Sequence, residues 1–148
     1  MAKPKSEDKR NSILSAATQV FAERGLGAPT AAITTAAGIA EGSLFTYFKT
    51  KDELINALYR ELKLELADSM MSSFPRKQSV RRRLEHVWRG YLQWGVDNPD
   101  QQKVLKQVQV WGISLKILCV TASSVILCIS MNGADPACFD SCVSPPQN

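Results

Sequence analysis

The chain has 148 residues, enough for one small domain or a head joined to a short body and too few for a large multidomain assembly. Its net charge of +4 gives a mild attraction for polyanions, and that charge is unevenly spread: residues 1–110 hold 17 basic and 12 acidic side chains, residues 111–148 one and two. The basic character therefore belongs to the front of the chain.

The chain starts Met1-Ala2-Lys3-Pro4-Lys5 and runs into charged residues. With no apolar stretch and no small-residue cleavage site there, a cytoplasmic address is expected. Ser6 is placed to cap a first helix with Glu7 and Asp8 in its first turn. Ile13, Ala17, Val20 and Phe21 recur at helical spacing, and Gly25 ends the run, so the helix is predicted over roughly 6–24.

Pro29-Thr30 opens a second, short helix, with Thr30 as N-cap, Ile33, Ala36 and Ala37 as its apolar face and Gly38 as its stop. After Gly38-Ile39-Ala40 a third helix is predicted over 42–48, with Leu44 and Phe48 turned inward beside Ile39 and Phe21. Thr50-Lys51-Asp52-Glu53 has the form of a capping box, so a long fourth helix starts there, carrying Leu54, Leu58, Leu62 and Leu66 and closed by Pro75. Ser79 caps a fifth helix whose inward stripe is read as Leu84, Val87, Trp88, Tyr91 and Gly95, ended by Asn98-Pro99. Val104, Leu105 and Val108 mark a sixth helical stretch over 101–110. The fold class is all-α: an N-terminal three-helix helix-turn-helix head, then a shortened helical body.

Two short helices meeting across a glycine-containing turn, the second buried on one face only, make the arrangement that enters a DNA major groove. With Leu44 and Phe48 inward, Ser43, Thr46 and Tyr47 are left for a groove about 12 Å wide. The segment from Thr30 to Leu54, through Ala36-Ala37-Gly38-Ile39, Gly42-Ser43-Leu44-Phe45, Tyr47-Phe48 and Lys51-Asp52-Glu53-Leu54, resembles the signature of the tetracycline-repressor family of transcriptional regulators. With the first helix and Asn98-Pro99-Asp100, the resemblance covers about residues 8–110.

The resemblance implies double-stranded DNA as partner. Ser43, Tyr47 and Lys51 would contact phosphates, and Glu41, Gly42, Phe45 and Thr46 would approach base edges, with Thr30 completing the DNA-facing set. Phe45 could touch a thymine methyl, and Lys3, Lys5, Lys9 and Arg10 would add backbone contacts from a flexible arm. It further implies repression, a homodimer and a small-molecule effector, with no enzyme activity, cofactor or metal. Three residues depart from the family pattern: Phe45 stands where tyrosine is usual, Ala40 replaces the serine that caps the third helix, and Thr34 replaces a smaller alanine.

Arg81-Arg82-Arg83 reads first as a solvated charge cluster and second as an anion contact. His86 is the single histidine, with no second one for metal or acid-base work. Cys119, Cys128, Cys138 and Cys142 all fall in the last 30 residues without paired zinc-ligand spacing, and a reducing compartment disfavours disulfides. The division expected is 1–52 for the DNA-binding head, 53–110 for a partial regulatory body and 111–148 for an atypical tail. Ile113 to Met131 carries Lys116 as its one charge, yet its serines and threonines make it a weak membrane span. The abrupt change at Trp111 favours a shifted reading frame or rearrangement, which the other two frames of the nucleotide sequence would test. The alternative function is a protein-interaction or membrane-associated remnant that binds no operator.

Overall fold

The computed structural model describes residues 5–110, with side chains from Glu7 onward. The expectations for Lys3, the side chain of Lys5, the cysteines, the 113–131 stretch and the reading frame lie outside those residues. Six helices follow in order: α1 (Lys5–Arg24), α2 (Thr30–Ala37), α3 (Glu41–Tyr47), α4 (Lys51–Met71), α5 (Val80–Asp97) and α6 (Pro99–Val110). Among the described residues there is no strand, so the class is all-α as the periodicity required.

Several boundaries move. α1 begins at Lys5, which puts Ser6 inside the helix rather than at its cap. Pro29, not Thr30, is the N-cap of α2: its ring fixes φ at −69° and its extended ψ of 150° leads into the first turn without a side-chain hydrogen bond. α4 stops at Met71, before Pro75, where Ser73 takes a positive φ of 55° and turns the chain. Pro99 opens α6 at the first helical position, where its missing N–H is no loss.

The described residues divide into two compact units, the first running up to Leu62 with Asn98–Val108, the second Lys63–Asp97 with Gln109 and Val110. In the first, Ile13, Ala17, Phe21, Ile33, Leu44, Phe48, Leu54, Leu58, Leu62, Val104 and Val108 are buried. Burial of this many large aliphatic and aromatic side chains, each contributing about 1.5–3 kcal/mol, supplies the driving force that the short α2 and α3 lack by themselves.

In the second unit α5 packs a stripe that keeps Val87 and Gly95 of the expected one but not its larger members. Arg83, Val87, Trp94 and Gly95 are buried, whereas Leu84 and Trp88 are exposed at 54% and 60%. Gly90 lies on the packed side, and a Cβ there would stand 3.0 Å from Met70 Cα and 3.3 Å from the Ser69 carbonyl. His86 Nε2 faces the Ser72 carbonyl at 2.9 Å and its ring meets the edge of Phe74, centroids 5.9 Å apart. A carbonyl only accepts, so that nitrogen carries a proton and His86 serves to tie the start of α5 to the turn after α4. Burial also holds the Lys63 ammonium down to about 8 from its ordinary 10.5.

Candidate nucleic-acid interface

The turn between α2 and α3 is set by Gly38. Its φ of 66° and ψ of 33° lie in the left-handed region, and its N–H and that of Ile39 return to the carbonyls of Thr35 and Thr34. The αL conformation costs an ordinary L-residue roughly 1–2 kcal/mol, which is why glycine stands here. Ile39 is half-buried in the turn rather than part of the core. Thr34, which takes the place of a smaller residue in the family pattern, is buried and donates its hydroxyl to the Ala31 carbonyl at 3.0 Å.

α3 is seven residues long and sharply two-sided: Leu44 is 0% and Phe48, at its C-cap, 2% exposed. Glu41, Gly42, Ser43, Phe45 and Thr46 are exposed, and Tyr47 is half-buried. The Thr46 hydroxyl donates to the Gly42 carbonyl at 3.3 Å, so its lone pairs are what it offers outward. Thr30, the first residue of α2, is half-buried.

Lys51 has a role the sequence did not reveal. Its Nζ donates to the Ala28 carbonyl at 2.7 Å and stands 6.0 Å from the Phe21 ring centroid, which ties the start of α4 to the loop before α2. Arg10 is likewise a brace within the first unit, its guanidinium 5.6 Å from the Phe48 ring and 3.9 Å from Glu61. The start of α4 is capped by Thr50, whose Oγ1 accepts from the Glu53 N–H at 3.1 Å. Glu53 reaches one residue further back than a standard capping box, to the Lys49 N–H at 2.8 Å. These bonds fix the exit from α3.

The N-cap of α3 is the weak joint. Ala40 is exposed with φ −68° and ψ 146°, the conformation of a capping residue, but no side-chain hydrogen bond is made. Ala40→Ser is expected to raise stability by about 1 kcal/mol, read as a higher urea midpoint with an unchanged slope. A midpoint that stays put would show that the amides of α3 are already satisfied by other groups.

A family model, "Bacterial regulatory proteins, tetR family", matches residues 13–58, the span from the middle of α1 into α4. The helix-turn-helix is a tetR-family domain. The HTH-type transcriptional regulator YhgD of Bacillus subtilis (strain 168) is 32% identical over 84 residues, which is 53% of this chain and 44% of that protein, so the chain spans less than half of that relative's length. A solved structure from Shewanella sp. PV-4 assigned to the tetR family is 29% identical with a TM-score of 0.65, covering 82% of this chain and 64% of the other. A TetR family transcription regulator from Marinobacter aquaeolei VT8 aligns at 20% identity and TM-score 0.74, over 85% of this chain and 66% of its own, and shows a common fold.

Outside the tetR-family head, Arg81 and Arg82 both pair with Glu85, at 3.2 and 3.3 Å, and are exposed. Arg83 is buried, with Nε and Nη1 unpartnered among the described residues. Among the described residues no three His, Cys, Asp or Glu side chains group to hold a metal, and no helix is long and apolar enough to cross a membrane.

Proposed function

We propose that this protein is a DNA-binding transcriptional regulator of the repressing kind, which reads duplex DNA with the exposed side of α3. The observation that carries the reading is the two-sidedness of that helix: Leu44 and Phe48 are sealed in the core while Glu41, Gly42, Ser43, Phe45 and Thr46 face outward. Ser43 and Tyr47 hydrogen-bond phosphates and fix register. Phe45 packs on a thymine methyl, and Thr46, its proton engaged by Gly42, accepts from a base amino group of adenine or cytosine. Thr30 and the Lys51 ammonium, beyond its bond to Ala28, flank the backbone path. The functional division follows residues 1–52 as head, 53–110 as regulatory body and 111–148 as tail.

The regulator acts in the cytoplasm, without catalysis, cofactor or membrane. It works as a homodimer that places two heads on half-sites about 34 Å apart, and a small molecule releases it. YhgD's designation as a transcriptional regulator supports this class.

The test is a binding titration on random duplex libraries at several salt concentrations. Affinity falls at least about tenfold between roughly 50 and 200 mM salt, the loss expected from the Lys51 ammonium groups of two heads alone, and Tyr47→Phe lowers it about tenfold at fixed salt. Absence of duplex binding at the lowest salt overturns the reading and leaves the interaction remnant in its place.

A further inference from the structure

Arg83, on the first turn of α5, is 8% exposed, and its Nε and Nη1 meet no acceptor among the described residues. These nitrogens belong to different edges of the planar guanidinium, so donors stay open on both. A charge taken out of water is costly unless an opposite charge and hydrogen bonds replace the solvent. Burial loosens the proton of Lys63 in the same unit, but an arginine keeps its charge.

The acids nearest along the helix are engaged elsewhere. Glu85 is held by Arg81 and Arg82, and Asp97, at the far end of α5, accepts from Gln93. Residues 74–84 hold Arg76, Lys77, Arg81, Arg82 and Arg83 without a single acid, and the first-turn amides of α5 add to that positive field. Val87, Gly90 and Trp94 follow Arg83 along one face of the helix, so the guanidinium heads an otherwise apolar row.

We propose that the second unit binds a small organic acid whose single carboxylate pairs with Arg83. A carboxylate matches the planar fork of a guanidinium with two parallel hydrogen bonds. One negative charge also balances the one unmatched positive charge, whereas a phosphate monoester, at about −1.5 to −2 near neutral pH, would bring surplus charge beside an apolar row. Such an acid is the small molecule that releases the regulator from DNA; that role rests on the DNA reading above, and the binding itself does not.

Isothermal titration calorimetry of the full chain at neutral pH, without DNA, tests the site with benzoate, hexanoate and decanoate, their amides, and inorganic phosphate. At least one carboxylate is expected to bind about tenfold or more tighter than both its amide and phosphate. Arg83→Met, of similar reach but uncharged, should bind acid and amide alike. Arg83→Lys, which keeps the charge without the planar fork, should fall between Arg83→Met and the parent, with circular dichroism reporting that each variant is folded. The proposal is overturned if no carboxylate binds below about 10 mM, if phosphate binds more tightly, or if a folded Arg83 variant keeps the full preference. An acid that binds and leaves duplex affinity unchanged overturns the releasing role. A chain that binds the acid and no duplex at all overturns the regulator reading and leaves the Arg83 site standing.

Discussion

Leu44→Ala is expected to destabilise the protein by about 3 kcal/mol and to abolish duplex binding at the same time. Leu44 is fully buried, and removing its isobutyl group forfeits transfer free energy and leaves a cavity, a combination that costs about 2–5 kcal/mol in well-packed cores. The site has little means of compensating. α3 has only seven residues, its N-cap makes no side-chain bond, and a helix that short does not persist in water on its own packing-free propensity. Phe45→Ala on the same helix supplies the contrast. Phe45 is 44% exposed, so stability should change by less than about 0.5 kcal/mol while affinity for the preferred duplex drops. Urea unfolding followed by circular dichroism, beside a binding titration, separates the two effects. A loss under about 1 kcal/mol for Leu44→Ala, or an equal loss for Phe45→Ala, would mean that α3 is not braced as described.

That contrast also shows why the head was legible from sequence. Leu44, Phe48, Phe21 and Ile33 are all apolar at helical spacing, Gly38 is the residue a left-handed turn requires, and Thr50 and Glu53 bracket a helix start. Each local preference points the same way there, so pattern and packing agree. The braces were not legible, because they join residues far apart in the chain. Nothing near Lys51 in sequence announces that its ammonium bonds the carbonyl of Ala28, and Arg10 looks like one of several basic residues in an arm until Phe48 and Glu61 are seen beside it.

α5 misled for a related reason. It has more apolar residues than one packed face needs, and the row of larger ones, Leu84 and Trp88 among them, drew the inward assignment. Beside the expected Val87 and Gly95, the packed side uses Arg83, Gly90 and Trp94, of which an arginine and a glycine carry no hydrophobic signal. Glycine at a helix crossing is chosen for what it lacks, and periodicity of apolar residues cannot register that.

Gly90→Leu tests this crossing and should be the most damaging change in the second unit. Glycine in a helix interior costs about 1 kcal/mol relative to alanine, so in open space any substitution here would stabilise α5. Space is what is missing. The first added carbon would sit 3.0 Å from Met70 Cα and 3.3 Å from the Ser69 carbonyl oxygen, and both are backbone atoms of α4 that move only if the helix does. Gly90→Ala already loses more by this contact than it gains in propensity, with a net destabilisation of about 1–2 kcal/mol. The leucine side chain must in addition drive α4 and α5 apart at Met70, for about 3 kcal/mol or more. Trp94 is buried one turn after Gly90 on the same face of α5, so its fluorescence should shift to the red in Gly90→Leu, and the urea midpoint should fall in the order glycine, alanine, leucine. Arg89→Ala, one position away on the exposed surface, should leave both readings unchanged. If Gly90→Ala proves more stable than the parent protein, helix propensity outweighs the crossing and the two helices have freedom to separate at Met70.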